Sequence, residues 1–263
     1  MVIPVWMIFA SSTHTSSFIN THGLQFFLGD SFQENYLRVL LYKGGFFKEI
    51  TALKMFFNSF IMATGVALLS VVTSLMAAYA LVYYRTKYAT FLFWLIFITI
   101  LVPLELRIFP TYSVMAKLNL VNSYFGLIVP ISASAIATLF FRQFYKTVPD
   151  ELLESAKLDG ASTWRFFIDF LVPLSRTMIV AMLIFMFVFG YNQYLWPLLV
   201  TSSEQYWTVV MGMKIIYTES YEGVALPRTA ERFAYIILSM IPPVLVVVFL
   251  QKWFIKGLIQ TEK

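Results

Sequence analysis

The sequence contains no cysteine. Disulfides, thiolate metal sites and a cysteine nucleophile are excluded by that absence, which says nothing of compartment. Charge is scarce as well: Asp, Glu, Lys and Arg make up 13 % of the 263 residues, against about 25 % in an average soluble domain. The phosphate-cradling Gly-x-x-x-x-Gly-Lys-Ser/Thr sequence of nucleotide hydrolases occurs nowhere, so the chain holds no nucleotide through such a loop. There is no internal repeat and no low-complexity tract. The net charge is +5, but the bases stand singly between apolar runs and form no stripe able to follow a phosphate backbone, which excludes nucleic acid as a partner. There are two histidines, His14 and His22. They lie in a polar stretch with no third ligand nearby and read as solvated loop side chains.

What is abundant is apolar surface. Hydrophobic residues make up 59 % of the chain, with 27 Phe and 15 Tyr, and the mean hydropathy is +0.75. A chain this short cannot hide that fraction from water, so lipid must cover much of it. A bilayer core needs about 20 apolar residues per helix. Five segments meet that need: Phe56 to Tyr84, Thr90 to Phe109, Tyr124 to Phe141, Leu174 to Val200 and Phe233 to Ile255. Pro103, Pro130 and Pro197 fall within or at the ends of spans and predict kinked helices in a bundle, and the pair Pro242–Pro243 interrupts the last span. Met1 to Ala10 is apolar but too short to cross. It reads as a signal peptide lacking a basic start, as an interfacial segment, or as the outer half of a helix that begins upstream.

Lys and Arg are denser after Tyr84 (Arg85, Lys87), between Arg142 and Arg176, and at the C-terminus (Lys252, Lys256, Lys263) than in the opposite connections. That bias places these stretches in the cytoplasm. The long polar segment Ser11 to Thr51 then lies outside, and a loop of that length is rarely idle.

The connection from 147 to 173 is more ordered in pattern than a linker requires. Pro149 suits a first helical turn, where its missing N–H costs nothing, and Asp150 and Glu151 favour the positive end of the macrodipole. Leu152, Leu153, Ala156 and Gly160 fall three and four apart, on one face. Gly160 is placed to end the helix in a left-handed turn. Trp164, Phe167 and Phe170 mark a second amphipathic stretch ending at Pro173. The result is a helix–glycine–helix elbow at the membrane surface whose small tip admits a partner.

Glu154-Ser155-Ala156, three further residues, Gly160 and, thirteen positions on, Pro173 together resemble the EAA motif of permease subunits of bacterial ATP-binding-cassette importers. The usual second residue, Ala, is Ser155 here. The likeness extends along nearly the whole chain, through Phe97 to Thr111, Ser132-Ala-Ser-Ala, Phe141-Arg-Gln-Phe and Gly190-Tyr-Asn-Gln-Tyr-Leu-Trp-Pro-Leu-Leu199. It is strongest to the carbohydrate-uptake branch, and Glu105-Leu-Arg107-Ile-Phe-Pro110 resembles its glycerol-phosphate members. The outer stretch from Ser202 to Arg228 is less similar.

The resemblance implies an all-α polytopic bundle, a single permease domain over 1–263 with six spans, the first only partly present. It implies a multi-pass protein of the bacterial inner membrane that is not itself an enzyme. Its expected partners are a second permease in a heterodimer, two ATPase subunits that bind ATP and magnesium, an extracytoplasmic binding protein and membrane lipid, and the chain itself holds no cofactor or metal. Glu154, Ser155, Ala156, Asp159 and Gly160 would couple to the ATPase, Glu154 by pairing with a base. The implied solute is sn-glycerol 3-phosphate, or alternatively a di- or oligosaccharide.

The pathway candidates are Glu105, Arg107, Asn192, Gln193 and Trp196. Arg107 suits bidentate contact with phosphate, or an ion pair holding the helix end. Asn192 and Trp196, one turn apart on a single helix face, either line a cavity or serve as a helix–helix hydrogen bond and an outer interfacial anchor. An ion-coupled secondary carrier, the alternative from another class, would carry ionisable residues in mid-span and often inverted repeats. Neither is apparent.

Overall fold

The computed structural model describes residues 2–41, 50–84, 87–215, 219–221, 224–226 and 228–261, and within these all side chains except those of 104–105, 214–215, 219–226 and 253–261. Three short helices come first: α1 (Val2–Ser12), α2 (Ser16–His22) and α3 (Phe32–Leu41). They are followed by α4 (Ala52–Tyr83), α5 (Ala89–Leu101), α6 (Leu104–Lys117), α7 (Tyr124–Ile128) with a 3-10 turn to Ile131, and α8 (Ala135–Tyr145). Next come α9 (Asp150–Leu158), α10 (Thr163–Phe166), a π-turn (Phe167–Leu171), α11 (Val172–Leu174), α12 (Arg176–Tyr191), α13 (Leu195–Val200) and α14 (Val209–Ile215). An antiparallel ladder of β1 (Glu219–Tyr221) with β2 (Val224–Leu226) precedes the last helix, α15 (Thr229–Thr261).

Among the described residues, two helices are individually long and apolar enough to span a bilayer, within α4 and at Thr229–Lys252 of α15, and up to five spans result if each bent pair counts as one. Along α4 the exposed residues Leu53, Phe57, Phe60, Leu68, Val72 and Met76 form one stripe, the spacing of a single helix face. Such a stripe belongs against hydrocarbon, because water would penalise it. α1, at 11 residues, is shorter than a span.

The bends have local causes. Between α5 and α6 the chain turns by 105°, because Pro103 lacks an N–H and disfavours helical geometry at Val102. The expected span from Thr90 to Phe109 is therefore two helices. The third span bends by 48° between Ile131 and Ala135, after Pro130. Where an interruption was expected at Pro242–Pro243, α15 runs on through both, as neighbouring groups in a bundle allow.

The described residues form two compact units: 1–62 with 121–127 and 191–245, and 63–120 with 128–190 and 246–263. In the first, the end of α1 is tied to α3: the Asn35 amide donates to the carbonyls of Ser12 and His14, at 2.8 and 2.7 Å. The Phe18 ring is sandwiched between His14 and His22, at 4.9 and 4.3 Å. Glu231, at the start of α15, is buried and accepts from Arg38 at 3.3 Å and from Ser16. In the second unit, a Cβ on Gly190 would lie 3.1 Å from the backbone of Ala63. Helices in lipid gain attraction chiefly by such close approach.

Candidate functional site

The elbow forms as its residues dictate. Pro149 stands just before α9 in extended geometry (φ −60°, ψ 138°), with Asp150 and Glu151 in the first turn. The sequence placed the proline inside the helix; it caps it instead. At the other end Gly160 has φ +77°. Its N–H bonds the Lys157 carbonyl at 3.0 Å, and the Ala161 N–H bonds the Ala156 carbonyl at 2.9 Å. This is the pair of bonds that closes a Schellman motif, with glycine at the left-handed position. A Cβ at Gly160 would meet nothing within 4 Å, so backbone geometry, not crowding, demands the glycine.

Two faces result. Leu152, Leu153, Ala156 and Ala161 pack into a core shared with Val71, Leu75, Tyr79, Phe141, Tyr145 and Phe166. Glu154, Ser155, Asp159 and Gly160 are exposed, and beside them Leu158 is 89 % exposed. Of the five expected coupling residues, four lie on the open face and Ala156 is buried at 2 %.

Ser162 caps the second limb by accepting from the Arg165 N–H at 3.2 Å, and the Tyr79 hydroxyl donates to the Thr163 carbonyl at 2.7 Å. Phe166, Phe167 and Leu171 are buried, while Trp164 is 54 % exposed. Of the expected stripe, Phe167 is buried and Phe170 packs against the same core, while Trp164, in the first turn of the limb, lies outside it. Burying Phe166 fully is worth about 1.5–3 kcal/mol. At Ser175, whose hydroxyl donates to the Leu171 carbonyl at 2.6 Å, the limb bends by 75° into α12. The elbow is therefore clamped to α4, α8 and α12.

Arg107 lines a cleft of about 150 Å³ with Thr99, Ser134, Phe185, Met186 and Phe189. Ser134 also caps α8, accepting from the Ala137 N–H at 3.1 Å. The cleft thus joins an arginine to the N-terminal end of a helix, where both the donors and the dipole favour an anion. The side chain of Glu105 lies outside those described.

Asn192 and Trp196 do not share a helix. α12 ends at Tyr191 and α13 begins at Leu195, with an exposed Asn192 and a half-buried Gln193 between them. Trp196 is 1 % exposed, and its Nε1 donates to the Gly126 carbonyl at 3.0 Å. Its ring is packed inside the protein, held by that hydrogen bond. Pro197 falls in the first turn of α13, where an N–H has no intrahelical partner to lose.

Two asparagines were not foreseen. The Asn58 amide donates to the carbonyls of Gln205 and Trp207 at 2.8 and 2.9 Å, and its oxygen accepts from the Tyr124 hydroxyl at 2.7 Å. Asn122 has φ +56°. Its side-chain oxygen accepts from the N–H groups of Ser202 and Ser203, at 2.7 and 2.8 Å. A lone amide in an apolar run, and an asparagine in a short polar connection, were the available signals.

Residues 70–260 match the family model described as binding-protein-dependent transport system inner membrane component. The chain is 46 % identical over 209 residues to the sn-glycerol-3-phosphate transport system permease protein UgpE of Yersinia enterocolitica, covering 80 % of this chain and 73 % of that one. It is 39 % identical over 269 residues to the protein of the same name from Agrobacterium fabrum, covering 100 % and 92 %. Among solved structures, a bacterial ABC transporter involved in the import of the acidic polysaccharide alginate is similar in fold. Its TM-score is 0.81 at 20 % identity, covering 96 % of this chain and 90 % of that one.

Proposed function

The chain belongs to the family of binding-protein-dependent transport system inner membrane components, and from that premise we propose that it forms half of the pathway of an ATP-driven importer for sn-glycerol 3-phosphate. The name carried by relatives 39–46 % identical supports the solute. The single observation that carries the coupling role is the elbow itself, with an exposed Glu154-to-Gly160 surface on a helix whose other face is locked into the bundle.

In this reading the open face seats in a cleft of a separate ATPase subunit, which binds ATP and magnesium and performs the only chemistry. Glu154 meets a basic side chain there. A charge pair withdrawn from water needs both members, and losing one costs about 3–5 kcal/mol. When the ATPase pair closes, the elbow moves, and the contacts of Ala156, Phe166 and Tyr79 carry the displacement into α4, α8 and α12. A second permease completes the pathway, and an extracytoplasmic binding protein delivers solute. The C-terminus is cytoplasmic, on the side of the denser bases.

Arg107 and the capped end of α8 are chemically suited to a phosphate monoester. The guanidinium offers parallel N–H donors, and the helix terminus offers partial positive charge. The test is uptake of labelled glycerol 3-phosphate by cells whose own importer is deleted and which carry this chain with its partner subunits. Uptake competed by unlabelled glycerol 3-phosphate and not by maltose supports the reading. Maltose uptake without glycerol 3-phosphate uptake overturns the solute, and uptake driven by an ion gradient without ATPase partners overturns the class.

A further inference from the structure

Arg142 lies one turn from the end of α8 and is 9 % exposed. Its guanidinium carbon stands 3.7 Å over the ring of Phe93 on α5. A ring face attracts a cation but accepts none of the five N–H donors in a directed hydrogen bond. Among the described residues Arg142 takes part in no ion pair, and its Nε is buried without an acceptor. A charge drawn this far out of water demands a counter-charge.

The surroundings show which kind. Ile100 of α5 and Ala135 of α8 line one cleft, and Phe93 meets Arg142, so the two helices run antiparallel with Arg142 at the elbow end of their seam. Lys146 follows Arg142 by one turn, and Lys87, its Nζ 4.9 Å over the Tyr88 ring, precedes α5 at the same end. The outer surface of α5 is apolar and exposed at Phe91, Trp94 and Leu95, as a lipid-facing helix should be. A basic pocket between membrane helices near the surface is the ordinary receptor of a phospholipid headgroup, and a planar guanidinium fork matches two phosphate oxygens.

We propose that Arg142, with Phe93 as its floor and Lys146 beside it, binds a phosphate group at the elbow end of the α5–α8 seam. The phosphate belongs either to a membrane phospholipid or to a phosphate-bearing solute leaving the protein. Only the second source rests on the function proposed above.

The experiment uses the full chain with its co-purifying subunits in nanodiscs containing phosphatidylglycerol. Native mass spectrometry counts retained lipid, and thermal melting follows titration with inorganic phosphate and with glycerol 3-phosphate. Wild type is compared with Arg142→Gln and Arg142→Lys. For a lipid phosphate, the Gln variant loses one retained phosphatidylglycerol per chain that wild type holds, and the Lys variant keeps it in part. For a solute phosphate, lipid retention is equal, but the rise in melting temperature on adding phosphate vanishes in the Gln variant. Equal lipid retention and equal phosphate response in all three overturn the proposal. Should the Gln variant fail to assemble, Phe93→Leu, which keeps the charge and removes the floor, must weaken the same readout several-fold, and an unchanged readout again overturns it. Failure of glycerol 3-phosphate uptake by wild type would remove the proposed solute yet leave the lipid count free to decide.

Discussion

The indole Nε1 of Trp196 donates to the carbonyl of Gly126 across 3.0 Å, inside a pocket that leaves the tryptophan 1 % exposed. A side chain held in this way positions the segment after α12.

Trp196→Phe keeps most of the buried ring and strands the Gly126 carbonyl, a loss of about 1–3 kcal/mol. A lower melting temperature in detergent with an unchanged KM for uptake is the expected result. A changed KM with unchanged stability would return Trp196 to the pathway.

Asn122 combines a left-handed backbone with a two-pronged clamp on Ser202 and Ser203. Asn122→Gly keeps the conformation and loses the clamp, and Asn122→Ala loses both. The alanine variant should be the less stable by a further 1–2 kcal/mol or so, the cost of a Cβ in that region. Chemical denaturation that ranks the two equally would show that φ does not matter there.

Gly160 separates geometry from contact. After glycine, Asn and Asp are the residues that best tolerate positive φ, and the space around the glycine is open. Gly160→Asn should therefore insert and fold normally in the isolated chain. Gly160→Asp should also insert, yet lose uptake as a new charge meets the seat. Full uptake by the Asp variant would place the partner contact elsewhere.

Arg107 faces a cleft shared with the cap of α8. Arg107→Lys keeps the charge and loses the fork, so KM for glycerol 3-phosphate should rise, and Arg107→Gln should raise it more. A KM unmoved by both substitutions, with surface expression intact, would remove Arg107 from solute recognition.

The elbow was legible in the sequence because each of its parts is a local rule: acids after a proline, apolar residues three and four apart, a glycine to stop. The spans were legible as apolar runs. The register within them was less so. The break at 192–194 carries no glycine or proline of its own, and Pro197 reads as a kink until the start of α13 is known. Trp164 stands in the first turn of its limb and is exposed although it keeps the spacing of the buried Phe167, and the π-turn that follows over Phe167–Leu171 is announced by no apolar periodicity. Asn58 and Asn122 depend on partners more than 60 residues away, and tertiary pairing of that kind leaves no mark on the local pattern.

The chain's lack of cysteine allows one decisive measurement. In the Ser155→Cys variant the only thiol sits on the open face of α9, and the assembled importer can be treated with a short amine-to-thiol cross-linker. The account predicts a product joining this chain to the ATPase subunit, together with protection of the thiol from maleimide that is lost when the ATPase is stripped away. A thiol equally reactive with and without the ATPase, yielding no joined product, would contradict it.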